Sequence, residues 1–274
     1  MAITGLAQFV WVSDLHVGST VALSPKKFLL PEGNYFKPNK LQRFINSFWD
    51  EFWKRRWALK IPTVICFGGE AIDANHHNTP QIWTDDETVM AAAASDVLSP
   101  VTKRASRCFW VGGTAAHSGG LSRWDRLVME KLEVPTLSAS QVEYRDRAVI
   151  SGVTFDLAHH GPSISKKVWL TENGVRAYAK NIILGCLAHR RSPPDVIIRG
   201  HVHVQNKQEV SLGEYTTRIA ISPSWQLKTE YAYRVDSEND ISDIGGIVAI
   251  VEDGKVHSLE FDSIEFNVTK DIVV

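Results

Sequence analysis

The feature that most constrains this chain is a set of short, uninterrupted apolar runs, each stopping abruptly at glycine, acid or histidine. Gln8 to Val12 (QFVWV) halts at Ser13-Asp14, as a strand buried on both faces does at its open end. Leu41 to Leu59 reads as an amphipathic helix, with Leu41, Phe44, Ile45, Phe48, Phe52 and Trp53 on one face. Arg43, Asn46, Asp50, Lys54 and Arg55 lie opposite. Pro62 opens a second run, Thr63 to Phe67, which ends at Gly68-Gly69. Asp85 to Leu98 is an alanine-rich helix with acids in its first turn, where the helix dipole favours them. A third run, Cys108 to Val111, again meets glycines, and a helix over Leu121 to Leu132 follows. This alternation predicts an α/β fold with a largely parallel sheet.

Beyond residue 145 the texture changes. Ala148 to Ser151 and Val153 to Ala158 read as a hairpin across Gly152, and Thr171 to His189 as a helix stopped by Pro193-Pro194. Asp195 to Arg199 is another buried run. Gln208 to Leu212, Tyr215 to Ile221, Gly246 to Val251 and Val256 to Phe261 alternate, which predicts antiparallel strands in a second or extended sheet. With no repeat, linker or low-complexity tract in 274 residues, a single domain over 1–274 is expected.

Charge and cysteines narrow the class. Lys and Arg total 30 against 31 Asp and Glu, a formal net charge of −1. That excludes a globally basic nucleic-acid binder but leaves room for a local basic groove. Cys66, Cys108 and Cys186 lie far apart and are odd in number, so they read as buried thiols of a reducing compartment. The opening MAITGLAQFVWVSD has no basic leader and reaches Asp14 too soon for a signal peptide. No uncharged apolar run is long enough for a bilayer. A cytoplasmic protein without a membrane partner is expected.

The chemistry gathers at the strand ends, where α/β sheets place their sites. The first run delivers Asp14 and His16, which alternation along an extended chain would point to one side. The second delivers Glu70 and Asp73, then Asn75, His76 and His77; the third delivers Thr114 and His117. The hairpin ends at His159-His160-Gly161, and Asp195 to Arg199 runs into Gly200-His201-Val202-His203. Any one of these histidines is ordinarily a hydrogen-bonded structural residue. Five strand ends bearing Asp, Glu and His in one chain are not easily supplied by chance. Mixed carboxylate and imidazole donors suit Mn²⁺, Fe or Zn²⁺ over Ca²⁺ or structural zinc. Six or so ligands suit two cations roughly 3.5–4 Å apart.

The ordered set SDLHVGS (13–19), GGEAID (68–73), GGTAAHSG (112–119), AHHG (158–161) and GHVH (200–203) resembles the calcineurin-like metallophosphoesterases. The family's pattern is Asp-x-His, Gly-Asp, Gly-Asn-His-Asp/Glu, a strand-end His, then Gly-His-x-His. The resemblance spans residue 10 to about 205, with a looser likeness to phage- and prophage-type members, which would place a phage-encoded copy in the host cytoplasm. It implies an α/β/β/α sandwich with two mixed β-sheets flanked by helices. It also implies two divalent ions, Mn²⁺ foremost, with Fe, Zn²⁺ or Mg²⁺ as alternatives. A hydroxide bridging them would attack a phosphate ester, in a phosphodiesterase or nuclease acting on nucleic acid or a nucleotide.

Carried over residue by residue, Asp14, His16 and His203 hold the first metal, His160 and His201 the second, and Glu70 bridges. His160 is preferred to His159 because it directly precedes Gly161. Two departures stand out. The family's bridging Asp is Glu70 here, with Gly68-Gly69 before it offering room for the longer arm. Its Asn is Thr114, a weaker ligand that could bind only through its hydroxyl or a water, and the leaving-group His is not adjacent; His117, three residues on, is the candidate for that role, with a structural histidine as the alternative. Asp73 then either orients a ligand from behind or replaces a missing one. These departures sustain an alternative: a one-metal or metal-free pseudoenzyme that binds a phosphate-bearing or nucleic-acid partner.

Two further features draw attention. Trp49, Trp53 and Trp57 on one helix read as core packing, whereas Trp225 in ISPSWQ is a candidate for lining a substrate groove. Lys54-Arg55-Arg56, Arg190-Arg191, Arg123 and Arg126 read as solvated charge, with phosphate contact the sharper alternative.

Overall fold

The computed structural model describes residues 3–74, 80–132, 144–162, 168–235 and 241–267. In chain order the elements are β1 (Ala7–Val12), β2 (Phe28–Leu29), β3 (Tyr35–Phe36), α1 (Lys40–Ala58), β4 (Thr63–Phe67), α2 (Glu87–Thr102), β5 (Arg107–Trp110), α3 (Ala115–Ser118) and α4 (Arg123–Leu132). They continue as β6 (Arg145–Ile150), β7 (Val153–Ala158), α5 (Val168–Ala188), β8 (Val196–Arg199), β9 (Asn206–Leu212), β10 (Tyr215–Ile221), α6 (Glu230–Val235), β11 (Ile241–Glu252) and β12 (Lys255–Asn267).

Two five-stranded mixed sheets result, ordered β12-β11-β1-β4-β5 and β6-β7-β8-β10-β9. Each is built around three parallel strands: β1, β4 and β5 in the first sheet, β7, β8 and β10 in the second. The antiparallel strands predicted late in the chain divide. The β9–β10 pair joins the second sheet, whereas β11 and β12 return to pair beside β1 and complete the first.

Side-chain alternation makes the layers. Phe9 and Trp11 of β1 face the second sheet, where they pack with Phe155, Leu157, Val196 and Ile198. Val10 and Val12 point the other way, into a core with Ile45, Phe52, Met90 and Leu98 of α1 and α2. On the far side, Val175, Ala179 and Ile183 of α5 cover Ile197 and Ile219. The expected α/β/β/α sandwich with two mixed sheets is therefore observed.

Two surfaces differ from the sequence reading. The buried stripe of α1 is rotated: Phe44 is exposed, while Asn46 is buried, holding the Ser24 backbone N–H at 3.2 Å. Gln42 beside it donates to the Ser19 carbonyl at 3.0 Å. This face thus latches residues 19–24, just past Asp14 and His16, as well as burying carbon. Trp225 is fully buried against Phe48, Trp49 and Phe52, so it belongs to the core and lines no groove. The basic run is tied down, with Arg55 and Arg56 both paired to Asp262. No helix among the described residues is long and apolar enough to cross a membrane.

Candidate metal centre

The carboxyl ends of β1, β4, β5, β7 and β8 converge at one place, where parallel sheets offer unpaired backbone and a crevice. Asp14, His16, Glu70 and His203 bring one donor atom each within 4.8 Å of one another; Glu70, His159 and His201 do the same. Glu70 belongs to both groups, and its two oxygens face different ways. Oε2 lies 3.3 Å from His16 Nε2, while Oε1 lies 3.1 Å from His159 Nε2 and 3.9 Å from His201 Nδ1. Asp14 spans the halves from the other side: Oδ1 is 3.2 Å from His203 Nε2 and 3.8 Å from His159 Nε2.

The backbone that aims these side chains is not extended. Asp14, His16, Glu70, His201 and His203 all have left-handed φ, at 56°, 46°, 56°, 77° and 57°. A non-glycine residue in that region costs roughly 1–2 kcal/mol, and such strain persists where surrounding structure over-determines it. Asp14 and His16 thus reach the same site through two tight turns, not by strand alternation. The turns are tied across: Asp14 N–H donates to the Gly69 carbonyl, and Leu15 and His16 N–H donate to that of Glu70. The His201 N–H donates to the Asp14 carboxylate at 3.2 Å. A side chain at Gly200 would meet Asp14 Oδ2 at 2.9 Å, so glycine is required for that approach. The Gly68-Gly69 pair offers no spare room. A Cβ on Gly68 would lie 2.1 Å from the Trp11 ring, and one on Gly69 would lie 2.4 Å from the Gly113 nitrogen.

The His159–His160 choice comes out opposite to expectation. His159 is fully buried, its Nδ1 lies 2.6 Å from the Gly68 carbonyl and its Nε2 points at Glu70 and Asp14. A carbonyl only accepts, so Nδ1 carries the proton and Nε2 is directed into the cluster. His160 is exposed, with its ring 4.8 Å from that of His201, and contributes no donor to either group. The reason is strand alternation: Leu157 faces the inner core, and His159 continues on that side of β7 toward the first sheet.

Thr114 donates both its hydroxyl and its N–H (3.2 Å) to Glu70 Oε1, so it serves the carboxylate and offers no ligand of its own. Asp73 is buried, accepts from Gln226 Nε2 at 2.9 Å and lies 3.8 Å from His16 Nδ1. His117 Nδ1 donates to the Asp73 carbonyl at 2.6 Å, which turns its ring edge-on to His16 with centroids 4.8 Å apart. Asn75, His76 and His77 lie outside the described residues.

Electrostatics follow from packing two acids among imidazoles. For Asp14 and Glu70, burial opposes ionisation, yet His159 and the neighbouring histidines hold both carboxyls well below their usual range. Burial likewise works against a charged His159, but Glu70 and Asp14 outweigh it and raise the imidazole to about 10. His16 is pushed well below 6.5 by burial and by His117, and His201 is lowered chiefly by burial. The protein by itself thus balances two buried carboxylates with a proton on His159.

Three supporting residues escaped the sequence reading. Asp125 lies fully buried behind Glu70. Arg199, one residue before the Gly-His-x-His turn, is also fully buried; it bonds Asp156 Oδ1 at 2.6 Å and the Tyr178 hydroxyl at 2.9 Å. Gln226 stands next to the tryptophan that drew attention. A buried Arg inside the apolar DVIIR run was the signal for the second; Asp125 resembles an ordinary first-turn acid of α4.

No protein-family model matches the chain, and no curated protein does. Among solved structures, the chain is similar to the sulfate thiohydrolase SoxB of Thermus thermophilus in complex with glycerol, at 11% identity and a TM-score of 0.44. That alignment covers 96% of this chain and 57% of the other, so the chain spans little more than half of that protein's length. A metallophosphoesterase from Sphaerobacter thermophilus aligns at 11% identity and a TM-score of 0.40, covering 95% of this chain and 89% of that one.

Proposed function

We propose that this chain is a calcineurin-like metallophosphoesterase that hydrolyses a phosphate ester with two divalent cations. One observation carries the reading: the two oxygens of Glu70 face two separate donor groups, Asp14/His16/His203 on one side and His159/His201 on the other. The donor set fits such ions. The cluster's imidazoles converge on the two carboxylates, His16 Nε2 standing 3.3 Å from His203 Nε2 and from Glu70 Oε2. His159 Nε2 is buried and faces the carboxylates of Glu70 and Asp14, at 3.1 and 3.8 Å. A cation between these nitrogens and the carboxylates would satisfy both.

Asp14, His16, Glu70 and His203 would hold one ion, and Glu70, His159 and His201 the other. Mn²⁺ is the first to test for such mixed donors, before Fe, Zn²⁺ and Mg²⁺. When bound, such a pair supplies a water of lowered pKa and positive charge for the phosphate oxygens. The chain's own residues do the rest. Glu70 and Asp14 set the spacing of the two halves, and Thr114 and the Gly68 carbonyl hold Glu70 and His159 in orientation. His117, oriented through Nδ1 by the Asp73 carbonyl, is the side chain assigned to assist the leaving oxygen. Within this class we favour a phosphodiester, in a nucleotide or nucleic acid, over a monoester.

A second reading is favoured by Thr114. Its two donors already occupy Glu70 Oε1, which weakens that oxygen as a ligand and suits a one-metal or metal-free module binding a phosphate-bearing partner. Metal analysis of protein purified without chelator separates the two, beside hydrolysis of bis(p-nitrophenyl) phosphate and p-nitrophenyl phosphate with Mn²⁺ or with chelator. Two equivalents of metal and chelator-sensitive hydrolysis are expected. No metal and no turnover of either ester would establish the binding module.

A further inference from the structure

The loops after β4 and β5 meet over a buried carboxylate that touches none of the proposed ligands' donor atoms. Asp125, the third residue of α4, is fully buried. Its Oδ2 accepts from the Gly113 N–H at 2.9 Å, the Ser118 hydroxyl at 2.6 Å and the Glu70 N–H at 3.3 Å. Its Oδ1 accepts from the Ala71 N–H at 3.0 Å. Four donors thus reach it from the end of β4, the end of β5 and the end of α3. None of them belongs to the helix that carries it.

We infer that Asp125 is a positioning residue that holds Glu70 in its left-handed turn and fixes the β4 and β5 loops at one separation. Glu70 is gripped at both backbone ends: its carbonyl takes the N–H groups of Leu15 and His16, and its own N–H goes to Asp125. Without the second grip, a non-glycine residue at φ 56° has a cheaper conformation available. The same carboxylate ties down Gly113, the residue before Thr114, whose N–H and hydroxyl orient Glu70 Oε1. Asp125 therefore controls Glu70 twice, through its backbone and through its hydrogen-bond donor. A carboxylate suits the task because it is acceptor-only, with about four lone-pair sites for four donors. An amide would turn an NH₂ toward at least one of these N–H or O–H groups, and buried donors left facing each other are costly.

The inference rests on Glu70 being a ligand, so its test has one arm that needs no metal. In chelator-treated protein, amide exchange at Glu70, Ala71 and Gly113 is compared with that at Val10 and Ile65 in Asp125→Asn, Ser118→Ala and Val128→Ala. Val128 is buried on the same helix and contacts neither loop through these bonds, so its truncation loosens the packing of α4 alone. Asp125→Asn is expected to speed the three loop amides relative to the strand amides, and Val128→Ala to leave that ratio unchanged. In the second arm, Mn²⁺ is titrated calorimetrically. Loss of a group behind a metal ligand typically costs about 10–100-fold in affinity, and that weakening is expected for Asp125→Asn, with a smaller one for Ser118→Ala and none for Val128→Ala. Should Asp125→Asn not fold, Ser118→Ala, which keeps the carboxylate and removes one donor, decides by the same ratio. Equal effects of the Asp125 or Ser118 change and Val128→Ala in either arm overturn the inference and leave Asp125 a packing residue. A wild-type protein that takes up no Mn²⁺ overturns the metal reading instead, and amide exchange then decides whether Asp125 holds Glu70.

Discussion

The two sheets furnish the site with different chemistry. Loops of the first bring Asp14, His16 and Glu70, all buried, whereas loops of the second bring His159, His201 and His203 and no acid. Of the second set only His159 is buried; His201 and His203 are 42% and 31% exposed at the side chain. Burying a carboxylate is expensive unless fixed donors replace water, and the acidic half is built accordingly. Glu70 has Thr114 and Asp14 has the His201 N–H, while Asp125 braces the loops behind. A neutral imidazole loses less on burial, so the histidine half can stand open. The acidic half is therefore the rigid seat of the site and the imidazole half its mouth.

The largest effect should come from breaking the group shared by both halves. Glu70→Gln is expected to abolish uptake of both ions and lower turnover by more than the roughly 100-fold that loss of a supporting group costs, read by metal analysis and diester hydrolysis. Glu70→Asp should also lose activity, because Gly68 and Gly69 are locked against Trp11 and Gly113 and cannot advance to present a shorter arm. Activity that rises in Glu70→Asp would show that the seat is not rigid.

Next in size is the contrast within the second half. His159→Ala should lose one equivalent of metal and most turnover. His160→Ala, whose ring only neighbours His201, should change turnover by less than about 10-fold, below the range for groups that support a ligand. The reverse order would return the ligand role to His160.

Arg199→Met asks whether the second half also has a seat. Removing one partner of a buried pair costs roughly 3–5 kcal/mol, and the lower end is expected because Arg145 still pairs with Asp156. Urea unfolding measures the cost. A loss below about 1 kcal/mol would make Arg199 a bystander to the turn carrying His201 and His203.

The most gradual effect is a pH dependence. Against burial, the carboxylates of Glu70 and Asp14 raise His159 from the ordinary imidazole value of 6.5 to about 10, and His203 is raised as well. Their protons therefore stabilise the chelated protein fully below pH 6.5, and that contribution is lost as pH climbs through 10. For His159 alone this is at most about 1.4 kcal/mol per pH unit. Metal loading would displace these protons, so the Tm difference between Mn²⁺-loaded and chelated protein is expected to widen from pH 6.5 to 10. A constant difference would mean that no ion competes for His159.

Much of this site is legible in the sequence. The apolar runs that became β1, β4, β5, β7 and β8, and the acid or histidine at each end, are local patterns, and a parallel sheet forces such ends together. Choosing between His159 and His160 was not legible, because it depends on which side of β7 faces the first sheet. The motif rule that places a ligand directly before Gly161 pointed to His160, whereas the donor cluster contains His159. The buried stripe on α1 was off by one position for a similar reason: Asn46 looks solvent-facing until the loop at 19–24 folds over it.

The sequence by itself determined the main strands and helices in order, the α/β class and the residue types that meet at the strand ends, since each is written in local periodicity and strand termination; the short β2, β3, α3 and α6 carry no such pattern. Only the tertiary structure decided that β11 and β12 close the first sheet, that five of the donors sit in left-handed turns, and that Asp125, Arg199 and Gln226 stand behind them. Those features come from contacts between segments distant in the chain, such as the Asp125 carboxylate with the Glu70 and Gly113 amides. A left-handed turn at a non-glycine residue has no local signal, because its strain is offset by partners that arrive only when the chain has folded.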